Sequence, residues 1–250
     1  MHYFFAHIDF ENQEVILEKE EAHHCATVLR LKQGDLIGVF DLNDTSEKRS
    51  IFQAELIRVH KKQCIGKIKT TTLFQSPSIS IHLVISPPKN NERLEWLAEK
   101  SVELQASVLL FVKSERCIRK NLNIDRIKNI LASAAKQSIN PILPEIIQFN
   151  SLNTLLNSIN TKDALYLLLH CEPSGRKIFI TPSFLQQIKE KGIQHIYAFI
   201  GPEGDWTKEE INLILSTLPN VFEIDLLPTR LRTETAAICI LSSLRIILRG

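Results

Sequence analysis

Up to Leu73 the apolar positions come in short runs of branched residues broken by polar turns, at Glu14–Leu17, Leu36–Asp41, Phe52–Val59 and Ile65–Ile68. Runs of this length predict strands. One stretch differs: within Glu20–Leu31 the placing of Ala22, Val28 and Leu29 predicts a short helix ahead of the Lys32-Gln33-Gly34-Asp35 turn. The pattern is that of a small β-barrel. Ser76, Pro77 and Ser78 mark a linker between Leu73 and Ser80, which divides the chain into expected domains at 1–73 and 74–250.

Beyond the linker, apolar runs alternate with amphipathic stretches. Strands are expected at Ile81–Ser86, Val108–Lys113, near Ile146, at Ala164–His170 and at Val221–Asp225. Helices are expected at Arg93–Leu104, Asp125–Gln137, Leu152–Ile159 and Pro182–Lys191. In the first of these, Leu94, Leu97, Ala98 and Val102 form one apolar stripe. Such alternation predicts a parallel, layered sheet. The apolar run from Ile196 is a further strand that ends on Gly201-Pro202-Glu203-Gly204. There glycine permits backbone angles closed to other residues. Thr207 and Glu210 then have the spacing of a capping box. Leu226–Ala236 repeats this plan after Val221–Asp225. Ligands bind at the carboxyl edge of such sheets, so the two loops are expected to meet there and form the site.

With 250 residues the chain has room for one large or two ordinary domains. Its formal charge of +2 is nearly balanced, so any nucleic-acid footprint must come from where charge sits. Lys48, Arg49, Arg58, Lys61, Lys62, Lys67 and Lys69 face only Glu47 and Glu55, which suits either a solvated face or RNA backbone. Cys25, Cys64, Cys117, Cys171 and Cys239 are dispersed without a CxxC pair, against a disulfide framework or a zinc site. Cys171, beside His170 at a strand end, is the one to watch. His23 and His24 are adjacent and diverge on a helix, with no acid or thiol at ligand spacing, so no metal is expected. The first residues lack a basic region followed by an apolar core, and no apolar run approaches the ~20 residues of a membrane span. The expectation is a cytoplasmic protein with no membrane partner. Neither GxxxxGK[ST] nor GxGxxG follows a strand, which excludes the common nucleotide-hydrolase and dehydrogenase signatures.

Several motifs occur in one order: Glu92-Arg93-Leu94-Glu95-Trp96, Glu99-Lys100, Ser114-Glu115-Arg116, Gln137-Ser138, Gly201-Pro202-Glu203-Gly204 and Leu231-Arg232-Thr233-Glu234-Thr235-Ala236. With the amino-terminal His24, Val28-Leu29-Arg30 and Gly34-Asp35, they resemble the ribosomal RNA small subunit methyltransferase E family over essentially the whole chain. The resemblance implies an α/β protein. A small PUA-like β-barrel precedes a SPOUT-type parallel sheet with a carboxyl-terminal trefoil knot, a rare exception to unknotted connections. It also implies a homodimer, S-adenosyl-L-methionine as cofactor, and N3 of a uridine in 16S ribosomal RNA of the small ribosomal subunit as methyl acceptor. The chain departs from the family's usual residues at Asp205 and Leu227, where glycine is common, at Trp206, where phenylalanine is common, and at Lys136 and Asn140.

On this resemblance the cofactor contacts fall on Leu169 and His170, on Ile200, Gly201, Pro202, Glu203 and Gly204, and on Leu226, Leu227 and Leu231. Methyl transfer from a sulfonium is an in-line displacement, in which the protein chiefly positions two partners. Uridine N3 keeps its proton at neutral pH, so that proton must be removed or the developing negative charge stabilised. Arg232, just before a helix start, is the candidate for stabilising the charge. Glu234, in the first helical turn, is a candidate base, its other reading being capping or pairing with an arginine. Thr233 and Thr235 read as caps. Arg230 and Arg116 are candidates for phosphate. Further RNA contacts are expected from Arg30, Lys61, Lys62, Arg119 and Lys120. Trp206 and Phe199 offer either base stacking or core packing. Two alternatives stand beside this reading: a SPOUT methyltransferase acting on another RNA, and a non-catalytic RNA-binding assembly factor.

Overall fold

The computed structural model describes residues 1–44, 48–119, 121–159, 163–181, 183–184, 186 and 192–248. Its contacts cluster into two compact units, residues 1–76 with 135–142, and residues 77–134 with 143–250.

In the first unit, β1 (His2–Asp9), β2 (Glu14–Glu18), β3 (Leu36–Asp41), β4 (Lys48–His60) and β5 (Gln63–Gln75) close a barrel in the order β1-β2-β5-β4-β3. The β1–β3 pair is parallel and the remaining neighbours are antiparallel. Phe4, Val15, Leu17, Ile37, Val39, Phe52 and Leu56 fill the interior. β1 shows no clean apolar–polar alternation, because both of its faces carry aromatics. Tyr3 and Phe5 point outward and cover Phe40. Gly38 makes room for them: a Cβ there would stand 2.3 Å from the Tyr3 ring. β4 and β5 run past their expected ends, pairing Arg49 with Phe74 and Lys48 with Gln75, where burial no longer imposes a pattern. The helix expected over Glu20–Leu31 is shorter and changes type. It is α-helical over Lys19–His23 and π-helical over His24–Val28, and Arg30 then turns out at φ +54°.

The second unit holds a six-stranded, wholly parallel sheet in the order β11-β9-β10-β6-β7-β8. Its strands are β6 (Ser80–Ile85), β7 (Val108–Val112), β8 (Glu145–Phe149), β9 (Ala164–Leu169), β10 (His195–Ile200) and β11 (Val221–Ile224). Covered on both faces, β9 is buried at every position, which is why it reads as an unbroken apolar run. Helices span Asn91–Glu103, Ile124–Ser138, Leu152–Ile159, Lys208–Thr217 and Thr233–Leu248. Asn90 caps the first, accepting from the Glu92 and Arg93 N–H groups, and Leu94, Leu97, Ala98 and Val102 are its buried stripe. Thr207 and Glu210 form the expected capping box. The helix expected over 182–191 lies mostly outside the described residues. Among the described residues no helix is long and apolar enough to cross a membrane.

Parallel register places His82, Tyr197 and Tyr166 side by side across β6, β10 and β9. Their rings stack at 4.3 Å and 5.4 Å, and His82 Nε2 lies 3.1 Å from His195 Nδ1. Burial, and then His195, hold the His82 imidazole down from 6.5 to about 4. The unfolded chain therefore takes up this proton first as the pH falls. The contribution is complete above pH 6.5 and is lost on descending toward 4. The melting temperature is expected to fall across that window, and His82→Phe, which keeps a ring against Tyr197, to flatten that part of the profile.

Candidate active site

β9 pairs with both β10 and β11, so the carboxyl ends of all three lie together. The loops leaving them enclose a cavity of about 550 Å³, within the roughly 300–1,000 Å³ typical of small-ligand sites. Leu169, His170 and Cys171 line it from β9, and Ile200, Gly201, Pro202 and Glu203 from β10. After β11 come Leu226, Leu227, Arg230, Leu231 and Arg232. The two loops do meet: Thr233 Oγ1 donates to the Gly201 carbonyl at 2.9 Å, and Arg230 Nη2 to that of Glu203 at 3.3 Å.

The turn after β10 takes its shape from a residue other than its glycines. Neither Gly201 nor Gly204 has a positive φ; Asp205 does, at +64°. An aspartate tolerates that region when its carboxylate bonds locally. Here Oδ1 accepts from the Trp206 N–H at 2.8 Å and Oδ2 from the Cys171 N–H at 2.6 Å. Asp205 thus ties the β9 loop to the β10 loop at the cavity wall. The glycines are needed for space, which corrects the expectation of special backbone angles. A Cβ at Gly201 would lie 3.0 Å from the Trp206 nitrogen, and one at Gly204 would lie 3.3 Å from the Arg116 side chain. Gly204, expected on the cofactor, is exposed in the turn and is not among the cavity-lining residues.

Arg116 and Arg119, both expected on RNA, each spend part of the guanidinium on protein carbonyls. Arg116 Nη1 bonds the Gly204 carbonyl at 2.8 Å and the Trp206 carbonyl at 3.4 Å. Arg119 reaches the Pro88 carbonyl at 2.7 Å and that of Lys89 at 2.6 Å. The loop braced by Arg119 is fastened to the cavity wall, since the Lys89 N–H donates to Glu203 Oε1 at 2.9 Å.

Lys177, Arg230 and Arg232 bring positive charge to the cavity, and Glu203, Asp205 and Asp225 bring negative charge. Arg232 is exposed there, whereas Glu234 is turned away. The Glu234 carboxylate is buried, with Arg93 Nε 3.6 Å off and Oε2 without a hydrogen-bond partner. Its geometry is that of the arginine pairing. His170 Nε2 lies 2.9 Å from Glu223 Oε2, and Arg176 Nε lies 2.7 Å from Glu223 Oε1, so this buried carboxylate has partners on both oxygens. Burial, with Asp205 next, pushes the Cys171 thiol above its ordinary range against the pull of Arg230 and Lys177, which does not suit a nucleophile. Trp206 and Phe199 are both fully buried and lie 6.5 Å apart, which removes either from base stacking.

On the barrel unit, Arg30, Lys61 and Lys62 are exposed, the two lysines in the turn between β4 and β5. Lys67 and Lys69 pair with Glu14 at 3.9 Å and Glu55 at 2.6 Å. Lys120 and Glu47 lie outside the described residues. Sequence reasoning passed over Lys177, Asp225 and Thr233 as cavity residues. Asp225, an acid closing an apolar strand, carried a usable signal. Lys177 sits in an aperiodic stretch, where nothing marks it.

Comparison with known proteins agrees with this architecture. The family model for the RNA methyltransferase domain matches residues 75–245, and that for the RNA methyltransferase PUA domain matches residues 17–69. The ribosomal RNA small subunit methyltransferase E of Buchnera aphidicola (subsp. Acyrthosiphon pisum) is 30% identical over 249 residues, covering 94% of this chain and 88% of the relative. The protein of the same name from Bacillus subtilis is 27% identical over 231 residues, covering 90% and 87%. Among solved structures, a probable rRNA-methyltransferase from Porphyromonas gingivalis superposes with a TM-score of 0.80 at 27% identity, covering 100% of this chain and 99% of the other. A protein from Legionella pneumophila described as a putative methyltransferase, solved with bound S-adenosylmethionine, gives 0.78 at 27% identity, covering 98% and 96%.

Proposed function

We propose, since this chain belongs to the ribosomal RNA small subunit methyltransferase E family, that it transfers the methyl group of S-adenosylmethionine to N3 of a uridine in 16S ribosomal RNA. The observation that carries this reading is the cavity at the carboxyl ends of β9, β10 and β11. Its lining fits the cofactor. Leu169, Ile200, Leu226 and Leu231 offer an apolar seat for a purine, Glu203 and Asp205 suit a cationic amino-acid end, and Lys177 and Arg230 suit its carboxylate. When bound, the cofactor supplies a methyl group made electrophilic by its sulfonium. The chain supplies placement, through loops held together by Asp205, Thr233 and Arg230. Arg232 stands at the cavity with a cation for the charge that builds on the base. We further read the protein as a cytoplasmic homodimer with a SPOUT knot in its 74–250 domain. In this reading Arg30, Lys61 and Lys62 of the 1–73 barrel meet RNA backbone.

The test is incubation with S-adenosylmethionine and small ribosomal subunits lacking the modification, followed by digestion and mass spectrometry. 3-Methyluridine is expected. A different methylated nucleoside would move the reading to another RNA target. No product with either subunits or free RNA, alongside intact RNA affinity, would favour the non-catalytic assembly factor.

A further inference from the structure

A second cavity, of about 300 Å³, lies in the same unit at the ends of β7 and β8. Register pairs Phe111 with Gln148 and Val112 with Phe149, and the Lys113 N–H extends the ladder to the Phe149 carbonyl at 3.1 Å. Phe149, partly buried against the core, lines the cavity, and so do Gln148, Asn150 and Asn121 with their amides. Lys113 and Arg119 also line the cavity, and no carboxylate does among the described residues. Arg119 is held by the Pro88 and Lys89 carbonyls. These are the groups a nucleotide needs. Two cations select an anion, amides offer both donors and acceptors to a base edge, and an aromatic ring stacks on a base face. The volume is at the lower end for small-ligand sites, about 300 Å³, which suits one nucleotide.

The two cavities are neighbours along the sheet edge. Arg119 braces residues 88 and 89, and the Lys89 N–H bonds Glu203 in the wall of the first cavity. We propose that the second cavity binds one nucleotide of the substrate RNA strand flanking the methylated one, its phosphate against Lys113 and Arg119 and its base against Phe149 and the amides. This rests on the reading of RNA as substrate given above.

The test needs no methyl transfer. Binding of a fluorescein-labelled single-stranded oligouridine, and of an abasic strand of equal length, is followed by anisotropy across a salt series. Lys113→Ala is expected to weaken both strands about 3- to 10-fold and to reduce the salt slope by about one. Gln148→Ala is expected to weaken only the base-bearing strand, by about fivefold, as loss of a base contact predicts. Calorimetric affinity for S-adenosylmethionine should stay at the wild-type value in both. Wild-type binding of oligouridine by both variants would overturn the proposal. Equal weakening of both strands by Gln148→Ala would also overturn it, by reducing the site to a charge patch. If methyl transfer fails while the two variants behave as expected, the activity reading falls and the nucleotide site stands.

Discussion

Arg232→Ala is expected to lower the turnover number for methyl transfer by about 100- to 1,000-fold, with cofactor affinity held within about twofold. The expectation follows from where the side chain stands. Residues 226–231 and the helix Thr233–Leu248 meet at Arg232, and the Thr233 hydroxyl pins that junction to the Gly201 carbonyl at 2.9 Å. Arg232 is thus carried on an anchored junction beside the cavity, and it is exposed rather than packed away. In the proposed reaction uridine N3 becomes anionic as its proton leaves, so a cation beside it helps the transition state more than the ground state. Arg232→Lys keeps the charge without the planar fork and should recover part of the rate. Single-turnover kinetics with calorimetric cofactor titration separates the roles. A raised KM for RNA at unchanged kcat would instead make Arg232 a phosphate contact.

The fold was largely legible because the α/β unit writes its pattern plainly. Leu152–Ile159 and its neighbouring strands follow burial on one stripe or on both faces, and hydropathy records burial. β1 and the far ends of β4 and β5 were harder, since aromatics cover the outside of β1 and the outer reaches of β5 are exposed. The site was legible at the level of loops and less so at the level of side chains. That two strand-end loops meet follows from parallel order. That Arg116 and Arg119 brace carbonyls, that Glu234 faces Arg93, and that Asp205 rather than a glycine carries the positive φ all depend on contacts distant in sequence. A motif marks a loop's importance without saying which of its residues touch the ligand and which hold the loop.

Trp206 separates those two roles most sharply. Its indole is fully buried among Phe199, Tyr166 and the helix residues Ile211 and Ile214. Trp206→Ala should cost about 3–5 kcal/mol. For a unit of this size that corresponds to a drop in melting temperature of roughly 6–20 °C. The residue's backbone also belongs to the cavity turn, its N–H on Asp205 and its carbonyl facing Arg116 at 3.4 Å. A collapsing core would loosen that turn, so cofactor affinity should fall along with stability. Trp206→Phe is the informative contrast. It gives up part of the buried area, but it also removes an Nε1–H that has no hydrogen-bond partner. Leaving such a donor buried costs about 1–3 kcal/mol, so the phenylalanine variant should lose less than about 2 kcal/mol and keep its cofactor affinity. Thermal unfolding and calorimetric titration of the two variants read both effects. An alanine variant that melts like the wild type yet binds RNA poorly would place the indole at the surface and restore the stacking role.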